Sequence, residues 1–243
     1  GVYVESGAKL YATATTFKDN TATYSGGAIY ATAATVSLTN CVLDSNDATD
    51  HSTNNDTGGA AIYVESASTL TIAGSKITNN GDKTLNRSNG DLINGVLNLH
   101  DSITTITDSV FENNTGIYGG AITAETTSDE GVSKLTISGS NFTANAAYTG
   151  GAVYVADTEF AISDSIFDAN NKASGEGSTG YTSGGGAIQV IGGSEGTLNN
   201  VIVKNSHASQ GGAIDLENSK VTITGSTFEN NGVSASGGAI FSI

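Results

Sequence analysis

Short segments with alternating apolar and polar positions recur along the chain. After a Gly-Gly step, the outer two of three consecutive residues are aliphatic and the middle one is polar or aromatic, as in Ile29-Tyr30-Ala31, Ile62-Tyr63-Val64 and Ile188-Gln189-Val190. Alternate side chains of a β-strand face opposite sides of its sheet. The pattern therefore predicts strands with aliphatic residues in the core and the middle residue in solvent.

A second strand-forming segment precedes a recurring asparagine. Leu70-Thr71-Ile72 and Leu135-Thr136-Ile137 put apolar residues on one face around an outward Thr, and an apolar residue follows five positions later. Branched and apolar residues of this kind favour strands. A small residue stands two positions before that apolar residue, and Cys41 occupies one of these places, so we interpret Cys41 as a small buried side chain. A reactive thiol is the alternative.

Two signatures alternate along the whole chain at an average period of about 30 residues. The first is Gly-Gly-Ala followed by an aliphatic residue, as at Gly119-Gly120-Ala121-Ile122. The second is an apolar residue three positions before Asn, and its asparagines are Asn20, Asn46, Asn80, Asn114, Asn145, Asn170 and Asn231. One further copy has two possible registers, Ile202 with Asn205 or Val203 with Ser206.

Repeats of this length hold two or three short strands and no crossover helix, and none of them buries its apolar face alone. Stacked as coils, like strands pair in parallel at about 4.8 Å, and each Asn bonds its copies above and below. The absence of Pro agrees with strands whose amides all donate. We predict an all-β, right-handed parallel β-helix of about nine coils, residues 1–243 forming one repeat domain within a longer surface protein.

Composition and charge exclude several classes of protein. The chain has 24 acidic and 9 basic residues, a net charge of -15, and a single Arg, Arg87, which argues against nucleic-acid binding. A lone Cys41 excludes a disulfide scaffold or a cysteine-rich zinc module. The chain has no apolar run of about 18 residues that would span a membrane. It also lacks Met, so we expect a piece of a longer product.

The alternation of Gly-Gly-Ala-(Ile/Leu/Val) with Phe-x-x-Asn resembles the repeats of chlamydial polymorphic outer membrane proteins and related adhesin-like proteins. The resemblance covers essentially the whole chain. It implies an extracellular, cell-surface passenger segment of autotransporter-like type that takes part in adhesion. It transfers no binding site, because the motif residues are those that build the coil.

A carbohydrate-active enzyme is the alternative class, since parallel β-helices also house polysaccharide lyases and glycoside hydrolases. A lyase needs a basic residue beside carboxylates, and Arg87 lies in an irregular stretch that we interpret as a solvated loop. An inverting glycosidase needs two carboxylates on one face, whereas the middle column offers Asp215 alone. The histidines occupy unrelated repeat phases, at His51, His100 and His207. We therefore predict no catalytic residue.

An acidic loop follows the second asparagine signature. Oxygen ligands in a loop suit Ca²⁺, but the loop lacks the residue pattern of known calcium loops. We predict a solvated loop and no cofactor, with Ca²⁺ as the alternative; the acidic residues are Asp44, Asp47, Asp50 and Asp56.

An aromatic and polar stripe is predicted on the outward face of the Gly-Gly-Ala strands. Such a stripe suits sugars or protein surfaces, although aromatic residues also simply favour exposed strands. The candidate binding residues are Tyr30, Tyr63, Tyr154 and Phe241, in one column with Tyr3, Asn98, Gln189 and Asp215. Insertions at 47–57, 81–93 and 172–183 are expected to protrude beside it.

Three functions remain open from the sequence. The first is a non-catalytic adhesin segment that attaches to a cell-surface protein or glycan outside the cell. The second is a structural stalk, or a fibre subunit that associates end to end. The third is the carbohydrate-active enzyme considered above.

Overall fold

The computed structural model describes residues 1–49, 58–81, 95–128, 131–171 and 184–243. Throughout these ranges the regular elements are β-strands, and their three main sheets contain parallel pairs only. Each sheet takes one strand from successive repeats, so the chain winds as a coil around one main hydrophobic core. The predicted all-β parallel β-helix is therefore confirmed.

The first sheet begins after each Gly-Gly-Ala signature. It contains nine strands in the described part of the chain, in spatial order Val2–Val4, Ile29–Thr32, Ile62–Glu65, Leu97–His100, Ile122–Glu125, Val153–Ala156, Ile188–Ile191, Ile214–Leu216 and Ile240–Ser242. Its register aligns the signatures, with Ile29 opposite Ile62 and Tyr30 opposite Tyr63. From Ile29 to Ile214 the aliphatic residues of the triplets are buried in the core, as their spacing predicts.

The second sheet is formed by the alternating segments that precede the asparagine signature. Its eight described strands are Lys9–Thr13, Thr35–Thr39, Thr69–Ala73, Ile103–Thr107, Lys134–Ser138, Glu159–Ser163, Glu195–Asn199 and Lys220–Thr224. Leu70 and Ile72 are fully buried while Thr71 between them remains partly exposed. The period of two thus separates core from solvent on this sheet.

The third sheet carries the apolar residue of the asparagine signature at its central position. Its eight strands, within the same ranges, are Thr16–Lys18, Val42–Asp44, Lys76–Thr78, Val110–Glu112, Asn141–Thr143, Ile166–Asp168, Ile202–Lys204 and Thr227–Glu229. Two smaller pairings join Thr21–Ala22 to Asp47–Ala48 and His207–Gln210 to Gly232–Ser236.

Phenylalanine rings stack along the core axis under the third sheet. Phe111 and Phe142 have centroids 4.7 Å apart, and Phe142 and Phe167 have centroids 4.6 Å apart, with nearly parallel planes. All three are fully buried. Burying one such ring stabilises the fold by about 1.5–3 kcal/mol, so the stack is a main source of stability in the central coils.

The signature asparagines form a buried ladder at the bend that follows the third sheet. Asn114 Oδ1 accepts from the backbone N–H of Asn80 at 3.1 Å and from its Nδ2 at 3.0 Å, while Asn114 Nδ2 donates to Ile77 O at 2.8 Å and to Asn145 Oδ1 at 3.0 Å. Each amide therefore joins three successive coils. The same bonds connect Asn20, Asn46, Asn80, Asn114, Asn145 and Asn170.

The structure resolves the register that the sequence left ambiguous. Val203 pairs with Phe167 on one side and Phe228 on the other, and the backbone N–H of Ser206 donates to Asn231 Oδ1 at 3.1 Å. Ser206 therefore occupies the asparagine column, and the shorter hydroxyl interrupts the amide ladder there. Cys41 is buried in the neighbouring column of small residues, and its backbone N–H donates to Ser75 Oγ at 3.0 Å.

The doubled glycines serve two separate needs of the turn before the first sheet. Gly119 has a φ of +63°, in the left-handed region that glycine adopts at least cost. A Cβ on Gly120 would lie 2.3 Å from Gly151 O of the next coil, closer than atoms can approach. The first glycine of the step therefore meets a conformational need, and the second allows adjacent coils to pack closely.

Candidate functional site

The outward face of the first sheet is covered over much of its length, which corrects the prediction of a solvent-facing middle column. Tyr63 is 4% exposed, and the middle residues Asn98, Thr123, Gln189 and Asp215 are also buried. At Thr123 and Gln189 the cover includes residues that lead into a Gly-Gly step. Thr123 Oγ1 donates to Tyr118 O, and Thr149 Oγ1 donates to Gln189 Oε1 at 2.6 Å.

Four aromatic side chains form a continuous stack on this face near the start of the chain, which we call the aromatic ladder. Ring centroids are 5.2 Å apart between Tyr3 and Tyr30, 5.1 Å between Tyr30 and Tyr63, and 5.2 Å between Tyr63 and His100. The planes of the tyrosine pairs differ by 16° and 10°. The rings within the ladder therefore cover one another's faces.

His100 belongs to the ladder although its repeat phase differs from that of the tyrosines. The residue opposite Tyr63 in the next strand is Asn98, and His100 lies two positions further on the same face. Diagonal neighbours of this kind remain within reach of aromatic side chains. A comparison of residues within one column does not include His100. The sequence signal for it is an aromatic residue two positions after Asn98, on the same face of the strand.

Carboxylates line one side of the aromatic ladder. The Tyr30 hydroxyl donates to Glu65 Oε1 at 2.5 Å, and burial followed by this carboxylate raises the pKa of Tyr30, so the hydroxyl stays protonated. His100 Nε2 lies 3.2 Å from Glu125 Oε1. These contacts fix the orientation of the second and fourth rings of the ladder.

A third carboxylate, Asp101, is held by the turn that follows Glu125. Asp101 Oδ1 accepts from the backbone N–H of Thr127 at 3.0 Å, and Oδ2 accepts from Thr127 Oγ1 at 2.8 Å. Burial raises the pKa of Asp101, but the bonds from Thr127 and Ser128 outweigh burial and hold the pKa below its usual value. Asp101 is therefore ionised at neutral pH.

The aromatic ladder, Glu65 and Asp101 line an open cavity of about 740 Å³, which we call the aromatic groove. Ring area combined with a few fixed polar groups is typical of ligand sites. Tyr24, from the segment before the first complete Gly-Gly step, forms one wall, and sequence reasoning missed it because it belongs to neither signature. The groove is lined chiefly by Tyr3, Tyr24, Tyr30, Glu65, His100 and Asp101.

The four predicted binding residues do not lie together. Tyr30 and Tyr63 line the aromatic groove. Tyr154 lies under the covering segment, with its ring centroid 5.3 Å from that of Tyr118 and the planes tilted by 54°. Phe241 is on the last strand, opposite Asp215. Asn98 and Thr123 interrupt the aromatic column between Tyr63 and Tyr154, so the single stripe expected from the sequence is divided.

A second polar group lies under cover in the later coils. Gln189 Oε1 accepts from Thr149 Oγ1, and its Nε2 donates to Asp215 Oδ2 at 3.3 Å and approaches Glu217 Oε1 at 3.5 Å. Burial, with repulsion from Glu217 second, raises the pKa of Asp215 to about 6. Asp215 is thus a buried acid that shares the Gln189 amide with Glu217.

The predicted acidic loop is only partly within the described ranges. Asp44 lies on a strand of the third sheet, where hydrogen bonds from Asn79 and Lys18 lower its pKa to about 2. Asp50 and Asp56 lie outside the described residues, as do His51 and Arg87. Among the residues that are described, no group of three His, Cys, Asp or Glu side chains is placed to hold a metal ion.

Most of the predicted protruding insertions also fall outside the described ranges, which omit 50–57, 82–94 and 172–183. In the ranges that are described, no helix is long and apolar enough to cross a membrane.

Comparison with known proteins agrees with this architecture. Residues 225–243 match the Chlamydia polymorphic membrane protein repeat. The chain is 33% identical over 126 residues to a protein of Escherichia coli (strain K12) described as "Probable autotransporter YfaL". That match covers 50% of this chain and 10% of that protein, so the chain spans a small part of that relative's length. No solved structure matches the chain significantly.

The family model described as "Right handed beta helix region" matches residues 1–167, which include the aromatic groove and the first six strands of the first sheet. This match supplies the hand of the coil that the three sheets build. The chain, which resembles the β-helical passengers of polymorphic membrane proteins and autotransporters, belongs to the right-handed β-helix family.

Proposed function

We propose that this chain is a non-catalytic, surface-exposed segment that attaches to proteins or glycans outside the cell. Support comes first from its similarity to a polymorphic membrane protein repeat and to an autotransporter, which points to a cell-surface or outer-membrane location. The observation that carries the binding role is the aromatic groove. It is an open cavity in a coil whose other aromatic stack, Phe111 to Phe167, is fully buried.

The chemistry of the described side chains favours binding over catalysis. Asp215, the acid with the most strongly raised carboxyl pKa, is enclosed and bonded to Gln189. In the groove, Asp101 is held in place by hydrogen bonds from Thr127, and Glu65 accepts from Tyr30. Groups held in this way orient a ligand but do not present a paired acid and base to a substrate.

A cell-binding assay tests the adhesive role. Fluorescently labelled chain is added to cultured epithelial cells and to a glycan array, and a Tyr3→Ser/Tyr24→Ser variant is compared with Tyr11→Ser. Tyr3 and Tyr24 are 63% and 65% exposed, and Tyr11 on the second sheet is 68% exposed, so the substitutions are matched in solvent exposure. We expect saturable binding that falls about fivefold or more in the double variant and stays unchanged in Tyr11→Ser.

Two outcomes would contradict this proposal. The first is an absence of saturable binding to any cell or glycan, which would favour the structural stalk as the function. The second is turnover of a polysaccharide by the purified chain, which would restore the enzyme alternative.

A further inference from the structure

The fixed charges around the aromatic groove have one sign. Glu65 and Asp101 line it, and no Lys or Arg side chain is among its described lining residues. Asp101 is ionised at neutral pH, as its hydrogen bonds show. The Tyr30 hydroxyl donates a hydrogen bond to Glu65 Oε1 and so fixes the position of that side chain at the groove. The groove thus combines an aromatic wall with a negative potential.

Two aromatic faces in the groove are available to a ligand. Tyr3 stacks on Tyr30 through one face, and it is 63% exposed. Tyr24 is 65% exposed and, within the described part of the chain, stacks on no other ring. The face of an aromatic ring attracts cations, and a neighbouring carboxylate strengthens that preference.

The dimensions of the groove suit a short extended segment. The ladder crosses four adjacent strands of the first sheet, from Tyr3 to His100, which is about 15 Å at the usual strand spacing. An extended peptide of four or five residues has about that length. A small monovalent ion would leave most of this space unused.

We propose that the aromatic groove binds a basic peptide segment of an external protein and selects arginine side chains. A guanidinium group stacks on the open face of Tyr24 or Tyr3 and donates hydrogen bonds to Glu65 and Asp101. Arginine is preferred to lysine because its planar group makes both contacts at once. This inference rests on the proposed attachment function and names the chemistry of the partner.

The test uses a fluorescein-labelled hexapeptide of alternating Arg and Gly, titrated with the full chain at about 0.15 M salt, where long-range attraction is screened. Glu65→Gln keeps an oxygen that accepts from Tyr30 and removes one charge, and Tyr24→Ser removes the open ring. The matched controls are Glu159→Gln, whose carboxylate is exposed on the second sheet, and Tyr11→Ser.

We expect Glu65→Gln and Tyr24→Ser each to weaken peptide binding about threefold to fivefold, and the variant that combines both substitutions to weaken it about tenfold. Neither control is expected to change the affinity by as much as twofold. A Lys-Gly hexapeptide is expected to bind more weakly than the Arg-Gly hexapeptide. Circular dichroism of every variant verifies that the sheets are retained.

Equal weakening by Glu65→Gln and Glu159→Gln would overturn the inference, because it would show attraction by net charge alone. Preferential binding of neutral chito-oligosaccharides, lost in Tyr24→Ser, would overturn it as well. A third outcome separates the two proposals. If the chain attaches to cells through Tyr24 but does not bind the arginine peptide, the ligand class is refuted and the proposed function stands. Absence of both would refute the function itself.

Discussion

At the scale of single residues, the signature asparagines do more than tolerate a bend. Asn114 uses both lone-pair directions of Oδ1 and both hydrogens of Nδ2, and it is fully buried. A buried polar group costs about 1–3 kcal/mol when it loses its partner. Each amide in the ladder therefore prevents several such losses on neighbouring coils, which explains why one residue type recurs at this position.

Shortening one of these amides is expected to be strongly destabilising. In Asn114→Ser the hydroxyl cannot reach both the backbone N–H of Asn80 and Ile77 O, so buried donors and acceptors lose their partners. We expect the free energy of unfolding to fall by about 3 kcal/mol. Urea denaturation followed by circular dichroism measures it, and a loss below about 0.5 kcal/mol would show that water replaces the amide.

The chain itself has a serine at one position of the asparagine column, because Ser206 interrupts the ladder. The converse substitution, Ser206→Asn, would complete it. In Ser206→Asn the new Oδ1 lies where it can accept from Asn170 of the preceding coil, and the new Nδ2 can donate toward Asn231. We expect a gain of about 1 kcal/mol in the same denaturation assay. Destabilisation instead would show that the coil carrying Val203 has no room for the amide.

The buried acid Asp215 makes the stability of the fold depend on pH. Burial raises the folded-state pKa of Asp215 to about 6, so the fold favours the protonated carboxyl group. The contribution of this group to stability is therefore complete below about pH 4 and is lost as the pH rises through 6. Asp215→Asn removes this loss. We expect the variant to match the parent at pH 4 and to exceed it by about 2 kcal/mol at pH 8.

Thermal or urea unfolding at several pH values checks this expectation, with Glu159→Gln as the control because its carboxylate is exposed. A pH-independent difference between Asp215→Asn and the parent would indicate that Asp215 contributes through its hydrogen bond to Gln189 and not through ionisation.

At the scale of the element, the Gly-Gly turn sets how closely coils approach. The second glycine of the step has no room for a side chain in an interior coil, as Gly120 shows, whereas a Cβ on Gly238 would meet no atom within 4 Å. The cost of a side chain at the second glycine therefore depends on whether a further coil packs against it.

Alanine substitution separates these two cases. We expect Gly120→Ala to lower the free energy of unfolding by about 3 kcal/mol, since its Cβ would lie 2.3 Å from Gly151 O, and Gly238→Ala to change it by less than about 0.5 kcal/mol. Denaturant midpoints of the two variants provide the comparison. Equal effects would mean that the conformational preference of glycine, and not close packing, explains the doublet.

The elements also show what sequence reasoning can reach. Strand positions and inward parity were predictable because every coil repeats them, as Leu70 and Phe142 illustrate. The burial of the middle column was not predictable, because the covering segments at 115–118 and 146–149 carry no repeat signature. His100 and Tyr24 join the groove by diagonal and between-element contacts, which a column-by-column comparison does not test.

At the scale of the whole molecule, unbalanced charge opposes the compact coil. Acidic residues exceed basic ones by 15, and self-repulsion of that size destabilises a folded chain. Exposed ion pairs between neighbouring coils offset part of it, each by about 0–1 kcal/mol. Those in the described ranges are Lys18 with Asp44, Lys134 with Glu159, Lys204 with Asp168 and Lys220 with Glu195.

Salt therefore acts on the whole rod in two opposing ways, weakening these few pairs and screening the more numerous repulsions. Because the chain has 24 acidic and only 9 basic residues, we expect the free energy of unfolding to rise by about 1 kcal/mol between 10 mM and 0.5 M NaCl. Lys134→Gln, which removes one pair and adds to the imbalance, should show a steeper rise in urea denaturation. Stability that falls with salt in both proteins would show that the ion pairs between coils outweigh the repulsion.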